Sequence, residues 1–135
     1  MRKTTIKHFA GLTYLTITNV PIKDTEFGEV ISLKPMCLEK LVAVALIKNK
    51  VPIRGAEFRV MKSALGLSNE AIADKLGISR NTVLKWGKEV DNRLPAPYEM
   101  LFRVLTAELL KIRLNATISD LRAENKAKKI SLEAA

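Results

Sequence analysis

The chain has 135 residues, 47% of them hydrophobic, which suffices for one sizeable core or for a small domain with an appended module. Its 23 basic and 14 acidic residues leave a net charge of +9, a balance that favours a polyanionic partner. Cys37 is the only cysteine, which excludes an intrachain disulfide and fits a reducing compartment, and the longest apolar run, Leu41 to Ile47, falls far below the ~18 residues of a membrane helix.

The opening Met1-Arg2-Lys3 is followed by Thr4-Thr5 and no signal-like apolar segment, so a cytoplasmic protein with no membrane partner is expected. His8 is read as a solvated residue on a flexible N-terminal arm. From there Leu12-Thr-Tyr-Leu-Thr-Ile-Thr-Asn19 alternates and is rich in β-branched and aromatic residues. Val20-Pro-Ile-Lys-Asp-Thr25 and Glu29-Val-Ile-Ser-Leu33 offer two further runs, and together they predict a small three-stranded antiparallel meander. Pro21, which cannot donate to a ladder, belongs on an edge or at a strand start. Such a sheet needs a cover. The helix expected over about residues 36–48, with Leu38, Leu41, Val42, Ala45 and Leu46 on one side, is its natural partner, and Cys37 is expected to be buried and inert. Residues 1–50 thus form an N-terminal unit, and Val51-Pro-Ile-Arg-Gly55 links it to a helical domain.

Gly55-Ala-Glu-Phe-Arg-Val-Met-Lys62 opens a helix whose Phe58, Met61 and Leu65 share a face. Two short helices then lie within Asn69-Glu-Ala-Ile-Ala-Asp-Lys-Leu-Gly77-Ile-Ser79-Arg-Asn-Thr-Val-Leu-Lys-Trp86. Gly77 supplies the left-handed residue that a tight turn between helices requires. Ala73 is small enough for close crossing, while Ile72, Leu76, Ile78, Val83 and Trp86 fall where side chains point between the helices. Ser68 and Ser79 each precede an apolar-periodic run and are expected to cap a helix start.

The second of these helices begins with Arg80, Asn81, Thr82, Lys85 and Lys88, and carries no acid among them. A solvated helix face would account for the charges, but not for the apolar spacing that accompanies them. Arginine pairs with guanine through two parallel donors, asparagine pairs with adenine, and lysine and threonine suit phosphates or bases. Arg80, Asn81 and Lys85 are therefore the candidate base readers. Ser68, Asn69, Ser79, Thr82 and Lys88 are the candidate backbone or mixed contacts. Trp86 is read as core.

Residues 65–86 resemble the helix-turn-helix of the phage repressor and Cro class, the xenobiotic-response-element (XRE) family of bacterial regulators. The closer likeness is to the branch with MqsA-type antitoxin domains and related stand-alone regulators, in which a Gly-x-Glu-[Phe/Ile]-Arg helix opening precedes the motif, here Gly55 to Arg59. It covers about residues 53–114 and implies a lambda-repressor-like helical bundle. Two positions depart from the family pattern. Asn69 stands where a phosphate-contacting glutamine is common, and Trp86 is followed by Gly87, read as a place where the second helix frays or ends, at a cost of about 0.5–1 kcal/mol relative to alanine. The zinc-binding cysteine module found in some MqsA-type antitoxins is missing, since Cys37 and His8 cannot supply four ligands.

Leu94-Pro-Ala-Pro97 stops one helix and starts another, predicted over residues 97–114. Its Met100, Leu101, Phe102, Val104, Leu105, Leu109, Leu110, Ile112 and Leu114 exceed what one core-facing stripe of ~100° holds. Either a two-fold dimer or the C-terminal residues must cover the surplus. Residues 51–115 are assigned to the helix-turn-helix domain and 116–135 to a C-terminal extension, with Ile118 to Glu124 read as a short helix and Lys129 to Leu132 as an added strand or a loose tail.

The expected fold class is α+β, mainly α. No catalytic constellation, metal-ligand spacing or cofactor motif is present, so a non-enzymatic protein without cofactor or metal is expected. The expected function is a sequence-specific transcriptional regulator, a repressor binding double-stranded DNA as a homodimer on a palindromic operator. The alternative is an antitoxin-type protein that neutralises a toxin partner and autoregulates its operon, the meander offering the toxin-binding surface. RNA is a poorer fit, because its deep, narrow groove excludes a helix.

Overall fold

In the computed structural model, which describes residues 2–34, 36–114 and 121–134, the first two β-rich runs join into one strand, β2 (Leu15–Thr25). Leu15 and Ile17 are buried, and so are Val20 and Ile22, so the inward alternation slips by one residue between the two pairs. The slip is a bulge: Thr4 and Ile6 of the neighbouring strand pair with Val20 and Ile17, and Asn19 takes up the extra residue at φ 55°. A break in period that reads as a strand end is thus a bend within one strand.

The neighbouring strand, β1 (Arg2–Lys7), is the segment expected to be a flexible arm. It is exposed along nearly its whole length, so no apolar alternation advertises it. Arg2 also forms exposed cross-strand ion pairs with Asp24 and Glu29. A short 3-10 turn over Phe9–Gly11 leads from β1 to β2, and His8 sits before it at φ 56°. β3 (Gly28–Ile31) returns antiparallel along residues 22–25 of β2. β4 (Ile130–Glu133) pairs parallel with Leu15–Thr18, so the sheet is mixed and the C-terminal run is an added strand.

Thr16 and Ile17 pair with both β1 and β4, which places β3 and β4 on the same side of β2. Pro21 therefore lies within the central strand, not on an edge or at a start. The Ser32 amide donates to its carbonyl at 2.8 Å, so the missing Pro21 N–H faces the side where β4 has ended and β3 has not begun.

Among the described residues, five helices complete an α+β architecture that is mainly helical: α1 (Cys37–Lys48), α2 (Gly55–Leu65), α3 (Asn69–Leu76), α4 (Arg80–Lys88) and α5 (Ala96–Leu109). Cys37 is exposed, contrary to expectation, because it occupies the first position of α1 while Leu38 takes the inward one. α5 ends five residues short of the predicted 114. Lys111 adopts φ 59° and the Ile112 amide bonds the Ala107 carbonyl at 2.8 Å, a Schellman-type stop. The predicted helix at Ile118 to Glu124 falls partly outside the described residues. Among those described, no helix is long and apolar enough to cross a membrane.

One apolar cluster runs from Leu15, Ile17 and Val20 of the sheet through Val42 and Leu46 of α1 to Phe58, Met61, Ile72, Val83 and Trp86, and on to Phe102. Phe58 is fully buried within it. Its ring meets Trp86 edge-on at 5.6 Å and Phe102 at 4.9 Å, geometries that favour aromatic pairs beyond their burial.

Within this core two carboxylates are buried. Glu57 accepts from the Arg54 amide at 2.9 Å, from both arms of the Arg54 guanidinium at 2.9 and 2.7 Å, and from the Tyr14 hydroxyl at 3.0 Å. Glu99 accepts from the Ile53 amide at 3.1 Å and from Arg93 at 2.7 and 2.9 Å. The hydrogen bond to Glu57 raises the Arg54 pKa, and the one to Glu99 does the same for Arg93. Burial, then the Glu57 charge, raises the Tyr14 pKa above its ordinary value. A phenol that ionises less readily folded than unfolded gives stability that is complete below about pH 10 and is lost as pH rises beyond it. Tyr14→Phe is expected to flatten the decline in urea-denaturation stability above about pH 10, relative to the stability at about pH 8. An unchanged slope would assign that decline to other groups.

Candidate nucleic-acid interface

α3 and α4 are joined by Gly77, Ile78 and Ser79. Gly77 ends α3 at φ 69°, in the left-handed region, and the Ile78 amide then returns to the Ala73 carbonyl at 3.0 Å. Ser68 starts α3 by accepting from the Ala71 amide at 3.1 Å. Ser79 starts α4 in the same way from the Thr82 amide at 3.2 Å. Both caps thus use the serine oxygen as acceptor, and a hydroxyl still carries a proton to donate.

The apolar positions divide as the spacing requires. Ile72, Ala73, Val83 and Trp86 are buried, while Leu76 and Ile78 pack partly buried against the same cluster. Trp86 lies between Phe58 and Tyr98, with the second centroid distance 5.6 Å, so it is a core residue. The candidate contacts point the other way. Arg80, Asn81, Lys85 and Lys88 are exposed, as are Ser68 and Ser79, whereas Asn69 and Thr82 are half-buried. Thr82 places its hydroxyl 2.8 Å from that of Ser79, at the front of α4.

α4 continues through Gly87 to Lys88, and Gly87 does not end it. The Gly87 carbonyl is tied to α2 by the Arg59 Nε at 2.6 Å. Lys88 stays on the helix. Lys85 lies 3.9 Å from Glu89, an exposed pair with little hold on either side chain.

Three residues of this surface were not legible as candidates. A shallow groove of about 210 Å³ is lined by Arg59, Lys62, Asn69, Leu84 and Lys88, above Phe58 and Gly87. Arg59 and Lys62 stand at i, i+3 on α2, a spacing that could have marked them as one cationic face. Leu84 is 38% exposed in the middle of the polar face of α4. The arrangement offers guanidinium, ammonium, amide and hydroxyl donors on one side of a helix, with cations from α2 flanking it. Among the described residues no three metal-ligating side chains come together.

The chain matches no known protein-family model, no curated protein and no solved structure.

Gly87 is open to change. A Cβ built there meets only the Phe58 ring, at 3.9 Å, which is ordinary van der Waals contact. Gly87→Ala is expected to stabilise the fold by about 0.5–1 kcal/mol in urea denaturation, through helix propensity. A loss of stability would show that the bond from Arg59 needs the freedom of glycine.

Proposed function

We propose that the protein is a sequence-specific DNA-binding transcriptional regulator of the phage repressor and Cro class, a cytoplasmic repressor that acts as a homodimer on a palindromic operator. The observation that carries this reading is the outer face of α4, free of acids and rich in donors, on a short helix braced by a serine cap and the Gly77 turn. In a major groove Arg80 bonds guanine O6 and N7, Asn81 bonds adenine, and Lys85 reaches a neighbouring base edge. Ser68, Asn69, Ser79, Thr82 and Lys88 fix the register on phosphates, and Arg59 and Lys62 extend that contact. No catalytic group, cofactor or metal enters this function.

The dimer rests on α5, where Leu101 is 45%, Val104 39% and Leu109 41% exposed. A second copy would bury these side chains and present two α4 helices to half-sites one helical turn apart. Selection of bound DNA from a random pool is expected to return an inverted repeat. Arg80→Ala should then weaken binding by about 1–3 kcal/mol and relax one position of each half-site. A uniform loss over all sequences would make Arg80 a phosphate contact, and failure to enrich any sequence would end the reading.

A second reading is favoured by the β2–β3 hairpin, whose tip residue Phe27 is 90% exposed, with Val30 and Ile31 exposed behind it. An apolar projection of this kind suits a protein partner, as in an antitoxin that autoregulates its operon. The chain would then relieve growth arrest caused by a small toxin encoded beside it, and Phe27→Ala would lose that relief while retaining DNA binding. No relief from the unaltered chain would dismiss the antitoxin role.

A further inference from the structure

Leu84 breaks the chemistry of the face it stands on. On a helix its nearest surface neighbours at i−4, i−3 and i+4 are Arg80, Asn81 and Lys88, all exposed. The inward positions of α4 are filled by Val83 and Trp86, so Leu84 is not required to close the helix pair. Its covered side borders the groove with Lys62, Asn69 and Lys88, and more than a third of it stays in water. A single exposed leucine needs no explanation by itself. Its position does, because this side chain stands among the residues proposed to enter the major groove.

The major-groove edges present hydrogen-bond donors and acceptors and one apolar group, the 5-methyl of thymine, which a methylated cytosine also carries. A leucine set against an adenine or cytosine amino group would strip water from a donor and return no acceptor. Against a methyl group it buries apolar surface on both sides. We infer that Leu84 reads the 5-methyl group of a pyrimidine, thymine in an unmodified operator, at a base position beside those read by Arg80 and Asn81. This rests on the proposed DNA-binding function and adds to it an apolar, shape-based reader of that same helix.

The test uses the full chain and the operator obtained by selection. Each thymine is replaced in turn by uracil, which removes only the methyl group, and binding is measured for the wild type, Leu84→Ala and Leu84→Met. One uracil replacement is expected to weaken the wild type about fourfold, the worth of one buried methyl. Leu84→Ala should bind the thymine and uracil operators equally, and Leu84→Met, of similar volume, should keep the discrimination. A second arm places cytosine or 5-methylcytosine at the same position; the wild type should prefer the methylated form and Leu84→Ala should not. The coupling between side chain and methyl is thus read as a cycle, which separates contact from any general weakening by the mutation.

A wild type that binds its operator tightly yet is indifferent to every uracil replacement overturns the inference and leaves the DNA-binding reading standing. So does a Leu84→Ala variant that retains the full methyl dependence. If the wild type selects no DNA sequence, both readings fall together.

Discussion

Two consecutive backbone amides, those of Ile53 and Arg54, are each held by a buried carboxylate from a different helix, and the placement of the other elements depends on that junction. Glu99 comes from α5 and Glu57 from α2, and each takes a two-pronged grip from an arginine, Arg93 and Arg54 respectively. Ionised carboxylates cannot be buried without such partners. Removing either arginine would strand a buried carboxylate, although each guanidinium itself stays in part exposed to water. Arg103, fully buried on α5, stands 3.9 Å from Glu99 and donates to the Val51 carbonyl at 2.8 Å, and burial lowers its pKa. The linker that leads from sheet and α1 into the helices is therefore fixed by charge on both sides. Tyr14, at the mouth of β2, closes the circuit on Glu57.

None of that junction could be read from the sequence, since a glutamate and an arginine in isolation read as surface residues. Two-fold agreement between cap chemistry and apolar spacing, by contrast, made α3 and α4 legible to within a residue. Ser68, Ser79 and Gly77 act over three to four residues, so their meaning is local. The sheet was harder for the opposite reason. β1 buries almost nothing of its own and so does not announce itself in a window of sequence, while β4, readable only as an added strand or a loose tail, finds its partner Leu15–Thr18 across more than a hundred residues. The bulge at Asn19 disguised one strand as two, because period-2 patterning has no way to mark an extra residue except by breaking. On α4 the polar side chains drew notice and Leu84 did not. A leucine in a helix reads as core until its exposure is known.

How α4 is held explains which half of it is available. Gly55, at the first position of α2, approaches so closely that an added Cβ would lie 2.4 Å from the carbonyl oxygens of Trp86 and Glu89. Backbone on both sides leaves glycine as the residue that fits. The same approach brings the Gly55 amide to the Asn92 carbonyl at 3.1 Å and the Ala56 amide to the Val90 carbonyl at 3.0 Å. These are amides of the first turn of α2 that no helical carbonyl can serve, so the carbonyls just beyond α4 satisfy them and lie favourably at the positive end of α2. Arg59 adds the Gly87 carbonyl to the same anchorage. α4 is thus clamped through the backbone at its C-terminal end, while Ser79 caps a front end whose Arg80 and Asn81 are exposed. A short helix anchored in this way can present its first two turns to a groove without losing its seat in the core, and Leu84 stands on the second of those turns.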